Sequence, residues 1–369
     1  MNKQFIKYGI WAGAAALALL GIVYFYRIST RNAVETLAQN KKMINVLIAG
    51  SNAYRDNKHR FFAILSINPN NARIGITFLP PNLKIFFDSG RKRSARIEDI
   101  DIDSFNKISQ SLARDLKMHL HFYVELYAQD VRRTVDLIEG IDLFILDQWK
   151  DQGDARIGVN YLDGGKIIDY INSVDGNSIF RKYDRIQDVL LTLHSNRKKY
   201  KRFYNKDFAA EVIKNVRTNL LDQEILSLLK YFFEDAGLIS TLVPGGLDEK
   251  GNYVIDDISY KLYESEFLGA MVLDERSDQS IKVKILNGTS VPGLAKKMRN
   301  ILMKEGLTVV EFGTSPYPFF DHTIIINQGG DTGNAMRVAE ILGVDRVHHI
   351  IDSSQLNSAV IIIGKDYIK

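Results

Sequence analysis

The sequence predicts an α/β protein with a mixed sheet and flanking helices, followed by a smaller C-terminal α/β domain and preceded by a transmembrane helix. Two observations predict the domains: apolar β-branched runs alternate with amphipathic segments, and a polar linker at 274–280 interrupts this alternation. A third, a charge-free apolar run within the first 30 residues, predicts the membrane helix. The 369 residues, 46% hydrophobic and 25% charged, suit two or three globular domains and exclude disordered, collagenous and polytopic membrane proteins.

The N-terminal segment is predicted to be a membrane anchor. Tyr8–Tyr26 carries no charge, and about 20 apolar residues are enough for a helix to cross a bilayer. A cleaved signal peptide and a buried core helix are the alternatives, but bulky aromatic residues close the run where a cleavage site would need small ones. We therefore expect a cytoplasmic tip and a single-pass anchor at 1–30, a helical stalk at 31–43, and the bulk of the chain outside the cytoplasmic (inner) membrane.

The first domain is predicted at 44–273. Ile44–Ser51, Arg60–Ile67 and Arg73–Leu79 are apolar runs typical of strands, and the last two flank an Asn-Pro-Asn-Asn turn that predicts a hairpin. Beyond them, periodicity predicts strands at His121–Leu126 and Ile141–Leu146, and helices at Asp103–Lys117, Asp130–Ile138, Asp184–Arg197, Asp207–Leu220 and Asp222–Glu234. Helices and strands that alternate in this way favour a mixed sheet covered by helices.

The second domain is predicted at 281–369, after the linker at 274–280. Its elements are strand Ile281–Leu286, helix Val291–Gly306, strands Thr308–Phe312 and His322–Ile326, helix Thr332–Leu342, and strands Val347–Ile351 and Ala359–Ile363.

Composition excludes several kinds of site. The chain has no cysteine, so disulfides, thiolate metal sites and cysteine nucleophiles are excluded. Its seven histidines lack the spacing of a zinc site. The net charge of +4, from 48 basic and 44 acidic residues, is too balanced for a dedicated nucleic-acid binder. We therefore expect no nucleic-acid partner.

Several separated segments carry motifs in a definite order. They are Asn45–Ser51 as an opening strand, Phe61–Pro69 as a strand that ends in "SINP", Thr77–Pro80 at the place of an "SIPRD" element, Asp136–Asp142, Leu162–Gly164, Asp184–Gln187 at the end of an "RxxRQ" helix, and Arg217–Glu224. In this order they resemble the LytR-CpsA-Psr family, whose members join undecaprenyl-linked glycopolymers to the cell wall. In addition, Val283–Ala295 and Gly364–Tyr367 resemble the opening and closing motifs of the LytR C-terminal domain.

The resemblance implies a phosphotransfer from a polyprenyl diphosphate, for which the protein clamps phosphates, holds Mg²⁺ and buries a lipid tail. Carried over residue by residue, it implies three sets of candidates. The phosphate-binding candidates are Arg55, Arg60, Arg96, Lys182 and Arg185. The metal candidates are Asn52 and Asn82, with Mg²⁺ needed only if the enzyme is active. The lipid-lining candidates are Phe62 and Phe86.

The same alignment shows departures from the family pattern. Pro81 and Asn82 replace the Arg-Asp of "PRD", Asn52 replaces an acidic residue, and Tyr170–Val174 lacks both arginines of "YVRxR". Each lost arginine removes charge-assisted hydrogen bonds worth roughly 1.5–3 kcal/mol. Two such losses in the transition state would slow transfer by a factor of about 10² to 10⁴. The remaining basic residues either bind an anionic lipid diphosphate or form a solvated basic face.

The sequence thus favours a membrane-anchored envelope protein that binds polyprenyl-linked glycan or cell-wall material with weak or lost transferase activity. One alternative is an active Mg²⁺-dependent phosphotransferase that attaches glycopolymers to peptidoglycan. The other is a non-enzymatic scaffold whose C-terminal domain recruits envelope or division proteins.

Overall fold

The computed structural model describes residues 32–51, 61–88, 90, 92–146, 156–174, 178–234, 237–272, 280–317, 320–355 and 357–368. The predicted membrane anchor and all but the last residue of the predicted linker at 274–280 lie outside these ranges. Among the residues that are described, no helix combines the length and apolar character needed to cross a bilayer.

The first part of the chain alternates strands with helices. The strands are β1 Ile44–Ser51, β2 Phe61–Asn68, β3 Arg73–Leu79, β4 Lys84–Phe86, β5 Ser94–Arg96, β6 Phe122–Tyr127, β7 Ile141–Ile145, β8 Gly158–Leu162, β9 Arg217–Thr218, β10 Leu238–Leu242, β11 Gly246–Leu247 and β12 Tyr253–Val254. The helices are α1 Ala33–Gln39, α2 Phe105–Asp115, α3 Ala128–Leu137, α4 Gly164–Asn172, α5 Ile179–Ser195, α6 Arg197–Tyr200, α7 Lys206–Ile213, α8 Asp222–Phe233, α9 Asp257–Tyr263 and α10 Gly269–Val272.

A six-stranded mixed sheet lies at the centre of this part, in the order β10-β3-β2-β1-β6-β9. β2 pairs antiparallel with β1 and β3, as the predicted hairpin requires, whereas β6 is parallel to β1 and β10 is parallel to β3. Alternate residues of β1 enter two separate cores, Leu47 on one face and Val46 on the other. The sheet is therefore covered on both faces, and the predicted α/β architecture is confirmed.

One predicted helix is wrong in its second half. The sequence predicts a helix over Asp207–Leu220, but α7 ends at Ile213 and residues Arg217–Thr218 form β9 against β6. The Thr218 hydroxyl donates to the Tyr123 carbonyl at 2.5 Å, and the Asn219 side-chain oxygen accepts from the Tyr123 amide at 2.9 Å. These side-chain bonds to a neighbouring strand compete with helix formation and prevail at this position.

Helix α1, within the predicted stalk, packs on the first domain. Val34 is buried, and the Asn32 amide donates to the Ser227 hydroxyl at 2.8 Å. The Glu224 carboxylate accepts from the amides of Ala33 and Leu221, so it holds the starts of both α1 and α8. Glu224 is therefore the side chain that caps the start of α8.

The C-terminal part is a second α/β layer. Its strands are β13 Lys282–Asn287, β14 Thr308–Thr314, β15 Ile324–Asn327, β16 Val347–His349 and β17 Ala359–Ile363, and its helices are α11 Leu294–Lys304 and α12 Thr332–Leu342. They form a five-stranded sheet in the order β14-β13-β17-β15-β16. The two helices cover one face, while the other face packs on Phe144 and Leu146 at the end of β7.

The two parts also share backbone contacts along the edge strand β10. The Ser240 amide donates to the Gly330 carbonyl at 3.0 Å, and the Thr332 hydroxyl both accepts from and donates to the backbone of Leu238 at 3.0 Å. The C-terminal part therefore covers the end of the first sheet that would otherwise be an open edge.

Candidate functional site

Three of the predicted site residues, Asn52, Arg55 and Arg60, lie outside the described residues, and their roles stay predictions. The phosphate and metal candidates that are described divide into two separate groups. Lys182 and Arg185 lie on α5, whereas Asn82 and Arg96 lie beside the turn at 248–252.

Arg185 is held inside a buried cluster on α5. Its Nη1 donates to the Tyr170 hydroxyl at 2.7 Å and lies 3.9 Å from Asp188 Oδ2. Its guanidinium carbon lies 4.5 Å from the centre of the Tyr170 ring. Lys182, one turn earlier, is half-buried. The guanidinium that the family resemblance assigns to a phosphate therefore has protein partners on several sides.

Asp188 is the centre of this cluster. One carboxylate oxygen accepts from the Tyr170 hydroxyl at 2.5 Å and the other accepts from the Ile351 amide at 2.5 Å. Because the side chain is buried, the pKa of Asp188 rises to about 7 even though Arg185, Tyr170 and Ile351 all favour its charged form. Asp188 thus joins α5 to the C-terminal domain by a direct hydrogen bond.

Asp184 and Arg181 lie on the same face of α5, one turn nearer its start. Arg181 Nη1 lies 2.9 Å from Asp352 and 3.6 Å from Asp184. Asp184 is 3% exposed, and within the described part of the chain neither of its oxygens makes a hydrogen bond of normal geometry. Burial raises the pKa of Asp184 to about 6, although Ser353 and Arg181 lower it.

Asp184, Arg181 and Arg185 border a cavity of 1180 Å³ between α5 and the C-terminal sheet, which we call the interdomain cavity. The opposite wall comes from β13, β14, β15 and the segment that follows β16. The volume lies just above the roughly 300–1,000 Å³ of typical small-molecule sites. Other groups that border it are Asn172, Lys284, Leu286, Glu311, Tyr317, Ile326, Gln328, Asp352, Asn357 and Val360.

The second group, Asn82 and Arg96, contacts the turn at 248–252. The Asn82 amide donates to the Gly251 carbonyl at 2.9 Å, and Arg96 Nε donates to the Asn252 side-chain oxygen at 3.0 Å. Across the described ranges, no three His, Asp or Glu side chains group closely enough to hold a metal ion. The role of Asn82 as a Mg²⁺ ligand therefore stays a prediction.

The two lipid-lining candidates have different surroundings. Phe62 is 1% exposed in the core between the sheet and α2. Phe86 borders a smaller cavity of 540 Å³, whose rim carries the basic side chains of Arg93, Lys107 and Arg114. Of the two, Phe86 is the one beside open space.

Sequence reasoning did not assign functions to Tyr170, Asp184 or Asp188. A signal for the carboxylates was present, because Arg181, Asp184, Arg185 and Asp188 occupy positions i, i+3, i+4 and i+7, which share one face of a helix. Their partners Ile351 and Asp352 are far away in the sequence, and nothing local indicates that they meet α5.

The C-terminal stretch matches a known family, and a larger share of the chain resembles solved structures in fold. Residues 280–367 match the family described as LytR cell envelope-related transcriptional attenuator. No curated protein sequence matches the chain. Among solved structures, "TagT bound to LI-WTA" is similar with a TM-score of 0.50 and 14% identity, over 63% of this chain and 92% of that one.

Two further structures are similar at a lower score. TagV of B. subtilis gives a TM-score of 0.49 and 15% identity over 64% of this chain and 99% of that one. A transcriptional regulator from Enterococcus faecalis gives a TM-score of 0.49 and 18% identity, over 65% of this chain and 91% of that one. At such identities the likeness concerns the fold alone.

The chain therefore shares the fold of TagT, one of the LytR-CpsA-Psr proteins. This chain in particular combines that fold with a LytR C-terminal domain at 280–367. The resemblance found in the sequence is confirmed at this level.

The pKa of Asp184 leads to a prediction on stability. Since its folded-state pKa of about 6 exceeds the ordinary value of 3.8, the contribution of Asp184 to the stability of the wild type falls as pH rises from below 4 to above 6. The shift corresponds to about 2–3 kcal/mol. We expect Asp184→Asn to remove this loss, so the difference in free energy of unfolding between variant and wild type grows over that range. Buried histidines affect both proteins equally and cancel in the difference.

Urea unfolding of both proteins at pH 4, 5, 6 and 7 measures this difference. Asp345→Asn is the matched control, because the Asp345 side chain is 91% exposed. A constant difference between Asp184→Asn and wild type over the whole range would show that Asp184 does not carry the burial penalty.

Proposed function

We propose that this chain is a single-pass envelope protein of the LytR-CpsA-Psr type that binds polyprenyl-linked glycan or cell-wall material with weak or lost transferase activity. In this proposal Tyr8–Tyr26 anchors it in the cytoplasmic membrane, and the rest lies on the extracytoplasmic side. The charge-free apolar run supports the anchor, and the combination of the fold with the LytR C-terminal domain supports the envelope location.

The observation that carries the proposal is the position of Arg185. Its guanidinium donates to Tyr170 and faces the buried Asp188, so a diphosphate would have to compete with these partners for it. Tyr170 itself belongs to the segment that lacks both family arginines. Transfer needs positive charge directed at phosphate oxygens, and in this chain the Arg185 guanidinium is directed at Tyr170 and Asp188 instead.

The binding part of the proposal is supported by the shared fold. TagT, whose fold this chain shares, has been solved with LI-WTA bound. We infer that this chain takes a ligand of the same general kind, a glycan on a polyprenyl diphosphate, with Arg60 and Arg55 as its remaining phosphate contacts.

The test is a titration of the full chain in lipid nanodiscs with a short-chain polyprenyl diphosphate, with and without Mg²⁺. We expect saturable binding that does not require Mg²⁺, with phosphate release at background. Arg60→Gln should raise Kd about ten-fold, because it removes a charge-assisted hydrogen bond. Arg346→Gln, at an exposed position of the C-terminal domain, should leave Kd unchanged.

Each other outcome overturns part of the proposal. Phosphate release that requires Mg²⁺ and is abolished in Arg60→Gln would establish an active phosphotransferase. The absence of binding up to millimolar lipid would remove the lipid-binding function and favour the scaffold.

A further inference from the structure

The interdomain cavity has no excess of positive charge. Arg181 pairs with Asp352 at 2.9 Å, and Lys284 pairs with Glu311 at 2.8 Å. The third cation at its border, Arg185, faces Asp188. A polyanion such as a phosphate polymer would therefore have to displace a carboxylate at each cation, which opposes its binding.

The remaining lining suits a ligand with both hydroxyl groups and apolar faces. Side-chain amides from three separate segments of the chain reach the border, and they offer donors and acceptors together. Aliphatic side chains form the floor, with one aromatic ring beside them. The amides are Asn172, Gln328 and Asn357, and the apolar contacts are Leu286, Ile326 and Tyr317.

Asp184 is the buried carboxyl group in this lining whose two oxygens are free of regular hydrogen bonds within the described residues. It is 3% exposed, it borders the cavity, and within the described residues both carboxyl oxygens lack a hydrogen bond of normal geometry. Ser353 and Arg181 offset the cost of burying this carboxylate only in part, since burial still raises its pKa, and a hydroxyl donated by a ligand would offset more of that cost. The cation beside it, Arg181 at 3.6 Å, is already shared with Asp352.

We propose that the interdomain cavity binds a neutral oligosaccharide, with Asp184 accepting hydrogen bonds from sugar hydroxyls and Gln328 and Asn357 completing the polar contacts. The proposal rests on the proposed function and makes it more specific, since it places the sugar part of the ligand between the two domains. The volume of 1180 Å³ favours several linked sugar rings over a single one, because sites of roughly 300–1,000 Å³ already enclose drug-sized molecules.

The test uses the full chain in nanodiscs and isothermal titration calorimetry with two neutral probes, chitotetraose and maltotetraose, and one anionic probe, a short poly(glycerol phosphate). We expect at least one neutral probe to bind and the anionic probe to bind at least ten-fold more weakly. Asp184→Asn and Gln328→Leu should each raise Kd of the neutral probe about ten-fold or more. The exposed Asp345→Asn should not change it.

The stability of the Asp184→Asn variant shows whether Asp184 acts in binding or only in folding. At pH 7.5 Asp184→Asn is expected to be at least as stable as the wild type, so a weaker affinity in this variant cannot come from unfolding. Unchanged saccharide affinity in both Asp184→Asn and Gln328→Leu would overturn the site, as would tighter binding of the anionic probe or no binding of either neutral probe. If polyprenyl diphosphate still binds in any of these cases, the proposed function stands and only the cavity assignment fails.

Discussion

Replacing Asp188 by alanine is expected to lower the free energy of unfolding by about 3–5 kcal/mol, because one partner of a buried charged cluster is removed. The Tyr170 hydroxyl and the Ile351 amide lose acceptors at 2.5 Å. Arg185 loses its nearby carboxylate as well. Few single substitutions reach this size, and those that do leave buried polar groups without partners.

The measurement is urea unfolding of the full chain, combined with hydrogen exchange at the Ile351 amide. Asp188→Ala should speed that exchange, because the contact between α5 and the C-terminal domain opens. The control is Asp169→Ala, at an exposed position on the neighbouring helix α4, for which a change within about 0.5 kcal/mol is expected. A loss below about 1 kcal/mol with unchanged exchange at Ile351 would show that Asp188 does not hold the domains together.

A second large loss in the free energy of unfolding is expected for Gly364→Ala in the C-terminal domain. A Cβ at this position would lie 2.2 Å from the carbonyl carbon and 2.5 Å from the carbonyl oxygen of His322, and both are backbone atoms. The backbone would have to move at a point where the Gly364 amide also donates to the Thr323 hydroxyl at 3.1 Å. We expect a loss of about 3 kcal/mol or more, at the upper end of overpacking effects.

Gly313→Ala is the matched control for this substitution, because a Cβ there meets nothing within 4 Å. It lies in β14, where alanine is expected to change stability by less than about 1 kcal/mol, in the stabilising direction. Both variants are compared with the wild type by urea unfolding. Equal stability of the two variants would contradict the close approach of Gly364 to the backbone of His322.

The elements that the sequence predicts well are those whose signals are local. The hairpin of β2 and β3 joins two apolar runs by a four-residue turn, and α12 lies at Thr332–Leu342, the range that periodicity predicts. By contrast, β9 depends on hydrogen bonds to Tyr123, which lies 95 and 96 residues away from its partners. A local helical pattern cannot reveal such a competitor, so the predicted helix is wrong there.

At the candidate site, too, local signals were visible in the sequence and long-range contacts were not. Family resemblance points to Arg185 as a phosphate ligand, and the spacing along α5 places Arg181, Asp184, Arg185 and Asp188 on one face. What that face contacts depends on Tyr170 and on Ile351, which is 163 residues from Asp188. The interdomain cavity likewise brings together Leu146 and Val360. The balance of charges in the cavity depends on ion pairs between residues far apart in the sequence, so it is known only from the tertiary structure.

The sequence by itself determined the α/β class, the main strand and helix positions, the LytR C-terminal domain and the candidate residues, because these depend on periodicity, turn residues and short motifs. Only the tertiary structure decided what the polar face of α5 does. There Asp188 binds the C-terminal domain, Arg185 is held by Tyr170, and Asp184 borders the cavity. The physical reason is that desolvation and hydrogen bonding depend on which groups face one another in space.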